Sequence, residues 1–204
     1  MPLVEERHAL YRALVLDAAE REFAQQGYAD TKVAAIARAA GVSLATFYKA
    51  FPGKEEVWNE LHRRRNSELR ARVDERIAAT DQPLERILTG VAGAVSYLAE
   101  HPTYLELNLR TASGWLYGTG TTADQATAWA AGLRTIDAGV RAAVTAGQLG
   151  DLRPAIARGM IISALQVWLA DGVDSGYDRD PEALVDDLVV HLRRLLTTTT
   201  GSPA

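Results

Sequence analysis

The sequence predicts an all-α fold. Good helix formers, above all alanine, leucine, arginine and glutamate, dominate its 204 residues. Apolar residues recur three and four positions apart, and no stretch sustains the alternation of apolar and polar residues that a β-strand requires. Apolar residues make up 48% of the chain and charged residues 24%, a balance typical of soluble globular proteins, so the helices are expected to enclose a packed core.

Nine helices follow from the apolar periodicity and from the residues that interrupt it. They are expected at residues 8–26, 32–39, 43–51, 53–79, 81–100, 104–112, 124–146, 154–170 and 180–196. Gly27 is expected to cap the first helix, since glycine tolerates the left-handed conformation at helix ends. Thr31 and Ser43 are good N-caps for the two short helices, and Pro52 ends the second of them. Residues 113–123, rich in glycine and threonine, are expected to form a loop.

The composition argues against several classes of protein. The chain has no cysteine, which excludes disulfides and thiolate metal sites and fits a reducing cytosol. No run of about 18 apolar residues predicts a transmembrane helix, and the N-terminus lacks the apolar core of a signal peptide, so a cytoplasmic protein is expected. The four histidines show no metal-ligand spacing, and no Gly-x-Ser-x-Gly motif of a hydrolase occurs. No metal, cofactor or catalytic residue is therefore expected, and the protein is not expected to be an enzyme.

Charge is distributed unevenly along the chain, whose net charge is −4. Residues 1–54 carry seven lysines and arginines and six acids, a net of +1, whereas residues 55–204 carry fifteen and twenty, a net of −5. A nearly neutral N-terminal segment can bind DNA if its few cations lie at the contact surface. The same balance excludes a broad electrostatic binder of nucleic acid.

The stretch from residue 31 to residue 54 has the pattern of two short helices that cross at a glycine. Gly41 is expected to make the tight turn between them, and Val42 to pack between the helices. Each helix has an apolar inner face, formed by Ile36, Ala37 and Ala40 in the first and by Leu44 or Ala45, Phe47 and Phe51 in the second. The second helix would then expose side chains that can donate hydrogen bonds to phosphates and, for some, to base edges in a major groove: Ser43, Thr46, Tyr48 and Lys49.

This stretch resembles the N-terminal domain of the TetR (tetracycline-repressor-like) regulators. In that family a long helix ending in phenylalanine and glycine is followed by Thr-x-Val-x-x-Ile-Ala, Ala-Gly-Val-Ser, Thr-x-Tyr, and a phenylalanine before Lys-Glu. The spacing matches without gaps across roughly residues 8–56, through Phe23, Gly27-Tyr28, Thr31, Val33, Ile36-Ala37, Ala40-Gly41-Val42-Ser43, Thr46-Phe47-Tyr48, Phe51 and Lys54-Glu55. One departure is Ala50, where many members place a histidine or tyrosine that meets a phosphate, and Lys49 is expected to compensate.

The resemblance implies an N-terminal three-helix helix-turn-helix DNA-binding domain at residues 1–52 (the head), followed by a larger helical regulatory and dimerisation domain at residues 53–204 (the body). It further implies a repressor that binds an inverted-repeat DNA operator as a homodimer and leaves it when a small-molecule effector binds. The DNA contacts are expected to come from Lys32, Ser43, Thr46, Tyr48, Lys49 and Lys54. The helix at 53–79 would transmit the effect of the ligand to the DNA-binding head as a rigid lever. Its start would pack on the head through Val57, and its far end would pack on the other helices of the body through Leu69, Val73 and Ile77.

The larger domain offers candidates for a ligand pocket and for a dimer interface. A mainly apolar or aromatic ligand is expected, because charged residues are sparse between residues 107 and 132. The pocket is expected among Tyr104, Leu107, Arg110, Trp115, Tyr117, Trp129 and Trp168. The helix at 154–170 is apolar around most of its circumference, and the helix at 180–196 carries many apolar residues between Leu184 and Leu196. A four-helix bundle between two copies of the chain is therefore expected.

Two alternatives to a ligand-responsive repressor remain at this point. A protein of the same fold could be controlled by a protein partner or by nothing, and an all-helical enzyme could carry a vestigial DNA-binding head. Within the larger domain, the run Arg63-Arg64-Arg65 is interpreted as a solvated helix face. Trp58, at the start of the long helix, is expected to pack inside the protein.

Overall fold

A computed structural model describes the backbone of residues 2–110, 123–150, 152–176 and 180–197, with the side chains of these ranges except those of 2–4, 109–110, 123–129 and 131. All regular secondary structure in these ranges is helical, which confirms the predicted fold class. The helices are α1 (Pro2–Gln26), α2 (Val33–Ala39), α3 (Leu44–Ala50), α4 (Lys54–Ile77), α5 (Pro83–Glu100), α6 (Pro102–Arg110), α7 (Ala123–Thr145), α8 (Pro154–Asp174) and α9 (Pro181–Thr197).

Each predicted helix is present, and most ends lie within two residues of the prediction. The exceptions are α1, which begins at Pro2 rather than at residue 8, and α8, which continues to Asp174 rather than to 170. α6 begins at Pro102, since proline fits the first turn of a helix, where backbone N–H groups have no intrahelical partner. Of the loop expected at residues 113–123, all but the last residue lies outside the described ranges, and that last residue begins α7.

Thr31 is not the N-cap of α2, contrary to the prediction. The cap position is Lys32, and no side chain caps the helix there. The buried Thr31 hydroxyl instead contacts two backbone carbonyl oxygens, that of Gly27 at 2.7 Å and that of Glu22 at 3.2 Å. Thr31 therefore ties the end of α1 to the segment before α2. Gly27 itself has a φ of 80°, the left-handed conformation predicted for this cap.

The small N-terminal helices and the larger body share one hydrophobic core. α1 packs against α2 and α3, and also against α4 and α6 of the body. α5 is the central helix of the body, in contact with α4, α6, α7, α8 and α9. Buried side chains of the head, such as Phe23 and Phe47, belong to the same continuous cluster as Leu88 and Leu169 of the body. The head is therefore attached to the body by packed side chains as well as by the chain itself.

The far end of α4 packs closely on α5, as predicted. A Cβ atom placed on Gly90 of α5 would lie 3.2 Å from Ile77 Cγ2 and 3.7 Å from Val73 Cγ1. Leu69 is partly buried against the core one to two turns earlier. The absence of a side chain at Gly90 thus lets the two helices approach, which fixes the direction of α4 relative to the body.

Candidate nucleic-acid interface and the core behind it

The turn between α2 and α3 has the geometry that the sequence predicts. Gly41 has a φ of 68°, and its backbone N–H donates to the carbonyl of Arg38 at 3.1 Å. The N–H of Val42 donates to the carbonyl of Ala37 at 3.0 Å, and the Val42 side chain packs against the core. Glycine adopts this conformation without strain, so the two helices can cross within a short turn.

α3 is held from behind by its aromatic side chains. Phe47, Ala50 and Phe51 are buried in the core, whereas Leu44 and Ala45 are exposed. The prediction that Leu44 or Ala45 anchors this helix is therefore wrong. At 3.6 residues per turn, Ala45 lies about 160° around the helix from Phe47 and faces outward, whereas Leu44 lies only about 60° from Phe47. Leu44 is nonetheless 48% exposed, because it stands at the first position of the helix, beside the buried face rather than within it.

The start of α3 is capped as predicted. Ser43 is the N-cap, and its Oγ accepts a hydrogen bond from the Thr46 backbone N–H at 3.1 Å. The two hydroxyl oxygens, Ser43 Oγ and Thr46 Oγ1, lie 2.9 Å apart and share a further hydrogen bond. Both hydroxyls are therefore engaged within the first turn of the helix.

Three of the side chains expected at DNA lie on the open surface of the head. Lys32 and Lys49 are exposed, and Tyr48 is 56% exposed with its ring edge-on to Phe47 at 5.5 Å. Ala50, next to Lys49, is buried, so its side chain faces the core rather than solvent. The surface of α3 thus presents one cation and one aromatic ring that no other part of the described head covers.

Lys54 is occupied by the protein itself. Its ammonium donates to the carbonyls of Tyr28, Ala29 and Thr31, at 2.6, 3.0 and 3.0 Å, and lies 4.5 Å from the centroid of the Tyr28 ring. An ammonium has three hydrogens, so these three acceptors satisfy it completely. This arrangement does not support the prediction that Lys54 contacts a phosphate, and it makes Lys54 the residue that ties the start of α4 to the α1–α2 connection.

Arg12 of α1 buttresses the other end of α3, and no sequence pattern marked it. Its guanidinium donates to the carbonyl of Ala50 and to the carboxylate of Glu60, and it lies 4.1 Å from the centroid of the Phe51 ring. One side chain thus joins α1, the end of α3 and α4. Together with Lys54, it makes the head a rigid unit on the first turns of α4.

A chain of aromatic contacts leads from the head to α6. Trp58 is 2% exposed, and its ring lies edge-on to that of Phe23 with the two centroids 5.1 Å apart. The centroid of the Tyr28 ring is 4.8 Å from that of Trp58. On its other side, the ring of Trp58 lies 4.4 Å from the ring of His62. His62 Nδ1 in turn lies 3.1 Å from the hydroxyl oxygen of Tyr104 on α6. The prediction that Trp58 packs inside the protein is confirmed, and we call these five residues the aromatic chain.

The His62–Tyr104 contact carries no charge near pH 7. Burial lowers the pKa of His62 to about 4, because the charged imidazolium is poorly solvated inside the protein. Burial likewise raises the pKa of Tyr104 well above its usual value. His62 Nε2 is buried and has no hydrogen-bond partner among the residues that the structure describes. α4 and α6 are therefore joined at this point by one neutral hydrogen bond inside the core.

The arginine run on α4 is not a solvated face, contrary to the prediction. Arg65 donates to both carboxylate oxygens of Glu20 on α1, at 2.8 and 3.0 Å, and to Glu68 at 3.0 Å. Glu68 also accepts from the hydroxyl of Tyr97 on α5 at 2.6 Å. Arg64 donates to Asp17 of α1 at 2.7 Å. Two of the three arginines thus hold α4 against its neighbours.

Burial alone raises the pKa of Glu68, but the hydrogen bonds from Tyr97 and Arg65 outweigh it and hold the pKa of this carboxyl below its usual range. The carboxylate is therefore ionised at neutral pH and accepts from both donors. The result is a polar connection from α1 through α4 to α5, formed by Glu20, Arg65, Glu68 and Tyr97.

The residues expected around a ligand are only partly described. Tyr104 and Leu107 are buried in the core of the body. Trp168 contacts a different set of residues. Its indole N–H donates to the carboxylate of Asp187 on α9 at 3.0 Å, and the centroids of its ring and the His191 ring are 5.3 Å apart. Trp115 and Tyr117, and the side chains of Arg110 and Trp129, lie outside the described residues.

Comparison with known proteins identifies the head first. The family model described as "Bacterial regulatory proteins, tetR family" matches residues 15–61. An uncharacterized HTH-type transcriptional regulator of Mycobacterium tuberculosis strain H37Rv is 33% identical over 88 residues, which cover 43% of this chain and 44% of that protein. The match to the curated relatives therefore spans less than half of their length.

Solved structures share the fold along nearly the whole chain. The fatty acid degradation regulator FadR from Bacillus halodurans matches with a TM-score of 0.76 and 22% identity over 90% of this chain and 94% of that one. The ketosteroid transcriptional regulator of Mycobacterium tuberculosis matches with a TM-score of 0.75 and 20% identity over 92% and 95%. FadR from Bacillus subtilis, in complex with stearoyl-CoA, matches with a TM-score of 0.70 and 21% identity over 88% and 96%.

At these identities the solved structures establish the fold, while the matched helix pair establishes the kind of head. The resemblance stated from residues 8–56 is thus confirmed by a family model that covers most of the same residues. Residues 15–61 of the chain therefore match the tetR family of bacterial regulatory proteins.

Proposed function

We propose that the protein is a transcriptional repressor that binds an inverted-repeat DNA operator as a homodimer and is released by a small, mainly apolar ligand. The observation that carries the proposal is the open face of α3. This face exposes Tyr48 and Lys49, while Phe47 and Ala50 hold the helix from behind. A short helix fixed in this way can enter a major groove without deforming the head.

The proposed DNA contacts differ in chemistry. Lys32 and Lys49 are exposed cations that can meet phosphates on either side of a groove, which gives affinity and register. Tyr48 can contact a phosphate through its hydroxyl or a base through its ring. Ser43 and Thr46 remain candidates only through the hydroxyl lone pairs and protons that their mutual bond leaves open. Lys54 is omitted, because its ammonium is satisfied within the head.

Two copies of the chain are proposed to meet through α8 and α9. Part of these helices is buried against the rest of the chain, for example Ile161 and Leu188, but Val167 and Val190 remain exposed. Among the described helices, α8 alone is long and apolar enough to cross a membrane, judged by length and composition only. Within its apolar stretch of 18 residues, 33% is buried inside the protein. Burial of its remaining apolar surface against a second copy would explain this composition, and a two-fold dimer matches an inverted repeat.

DNA selection tests the proposal directly. Purified protein incubated with random duplexes is expected to enrich an inverted repeat. The double substitution of Tyr48 and Lys49 by alanine is expected to weaken binding to that repeat about ten- to hundredfold, because it removes a groove contact and a phosphate contact. Lys49→Ala alone is expected to flatten the dependence of binding on salt by about one unit of slope per protomer, and so by about two units for the dimer.

The matched control is Arg141→Ala, which removes one exposed cation from α7 of the body. It should leave both affinity and salt dependence unchanged, since α7 is not part of the proposed interface. Unchanged affinity in the Tyr48→Ala, Lys49→Ala double variant would show that α3 does not bind DNA. Selection of no repeat at all would refute the function itself.

Ligand control is proposed to act through α4. Its 24 residues form a rod of about 36 Å at 1.5 Å per residue. The rod is fixed to the head at Val57 and Trp58 and to α5 at Val73 and Ile77. The two heads of a dimer must lie about 34 Å apart to enter successive major grooves, so a small displacement of α4 would disturb their register. The contact of His62 with Tyr104 makes α6 the neighbour through which a ligand in the body can move α4.

Reciprocity of coupling tests this mechanism. Compounds with long apolar chains, such as the stearoyl-CoA bound in the structure of FadR from Bacillus subtilis, are first screened for a rise in melting temperature of the protein. For a compound that binds, the ligand is expected to weaken operator binding by about 5- to 150-fold, and operator to weaken ligand binding by the same factor. Equal ligand affinity with and without operator DNA would rule out the lever.

A further inference from the structure

One side of the exposed surface of α3 is apolar and lies beside the exposed Lys49. Leu44 is 48% exposed and Tyr48 is 56% exposed, and their spacing of four positions makes them neighbours on one face of the helix. Ala45, beside Leu44, is exposed as well. The core packing of α3 is supplied by Phe47 and Ala50, so Leu44 is not needed to hold the helix in place.

The polar groups of α3 are poorly placed to recognise bases. The hydroxyls of Ser43 and Thr46 bond to each other at 2.9 Å, and Ser43 Oγ also caps the helix. Lys49 is exposed near the end of the helix and suits a phosphate, which carries no sequence information. Sequence recognition by this face therefore depends more on apolar contact than on hydrogen bonds.

One apolar group in the major groove distinguishes the bases, the C5 methyl of thymine. A leucine side chain packed on this methyl removes both from water, whereas uracil offers the same hydrogen-bonding edge without the methyl. We propose that Leu44 recognises a thymine methyl in each half-site of the operator, with Tyr48 covering the contact from the next turn. This inference rests on the proposed function, namely that α3 enters the major groove.

Replacement of thymine by deoxyuridine tests the contact one methyl at a time. The probe is the inverted repeat enriched by the selection, synthesised with deoxyuridine at single thymine positions of both half-sites. For the wild-type protein, at least one position is expected to weaken binding by about fourfold per half-site, the equivalent of one buried methyl group. Leu44→Ala is expected to bind the parent operator more weakly and to lose the preference for thymine over uracil at that position.

Leu10→Ala is the matched control, because Leu10 is an exposed leucine on α1 of the same head. This variant should keep the preference for thymine, and the helical circular dichroism of both variants should match the wild type, since both replaced side chains are exposed. If an operator is enriched but no thymine is sensitive, or if Leu44→Ala keeps the full preference, the inference is wrong while DNA binding stands. If no DNA is enriched, the proposed function falls and this inference falls with it.

Discussion

Replacing Glu20 by alanine is expected to lower the free energy of unfolding by about 3 kcal/mol. Glu20 of α1 and Arg65 of α4 form a bidentate ion pair whose N···O distances are 2.8 and 3.0 Å, and their side chains are only 7% and 15% exposed. Removal of the carboxylate leaves a largely buried guanidinium with Glu68 as its remaining acid. Urea unfolding at neutral pH, with wild type and variant at the same concentration, measures the loss.

The chain contains its own control for burial. Arg72 and Glu100 form a second bidentate pair, with both distances at 3.0 Å, but their side chains are 34% and 47% exposed. Because water screens an exposed pair, Glu100→Ala is expected to cost much less than Glu20→Ala. Equal losses from the two alanine variants would contradict the role given to burial. Replacement of both Glu20 and Arg65 by apolar residues is expected to cost less than Glu20→Ala alone, since no buried charge is then left without its partner.

Features that depend on a few neighbouring residues could be predicted from the sequence. The cap at Ser43, the left-handed glycines at 27 and 41, and the ends of most helices follow from contacts within one or two turns. The burial of Trp58 was also predictable, since large aromatic side chains usually pack in protein cores. These local signals were enough to predict the helix pair and its resemblance to the tetR family.

Features that depend on distant residues could not be predicted in the same way. Arg63, Arg64 and Arg65 look alike in sequence, but successive residues of a helix point about 100° apart, so only the packing of α1 decides which arginine is buried. Arg65 meets an acid 45 positions away, and Lys54 meets carbonyls at least 23 positions away. No spacing rule relates such partners.

The two interfaces of the proposed function differ in the same respect. The residues of the head that are proposed to face DNA lie within one short segment, where the periodicity of the sequence predicts which side chains are exposed, although it wrongly assigned Leu44 to the inner face. A ligand pocket draws on several helices that are far apart in sequence. Composition can therefore suggest an apolar ligand, but Tyr104 and Trp168 were grouped by residue type and have different surroundings in the structure.

Trp58→Ala is expected to cost about 3–5 kcal/mol of unfolding free energy, the largest effect of any single substitution proposed for this chain. The side chain is 2% exposed and contacts the rings of Phe23, Tyr28 and His62, at 5.1, 4.8 and 4.4 Å. Its removal leaves a cavity where the head meets α4, and it also removes edge-to-face ring pairs worth about 0.5–1.5 kcal/mol each beyond the area that they bury.

The aromatic chain also makes Trp58 the central link between the head and His62, so the stability measurement tests the rigid joint that the lever mechanism requires. Trp58→Phe keeps a ring in the same place and should lose less stability than Trp58→Ala. Tyr48→Ala, which removes an exposed ring from α3, should change the free energy of unfolding by no more than about 0.5 kcal/mol. The measurement is urea unfolding of all three variants beside the wild type. If Trp58→Ala proves as mild as Tyr48→Ala, the head is not anchored through this ring, and a displacement of α4 could not move the head as a rigid unit.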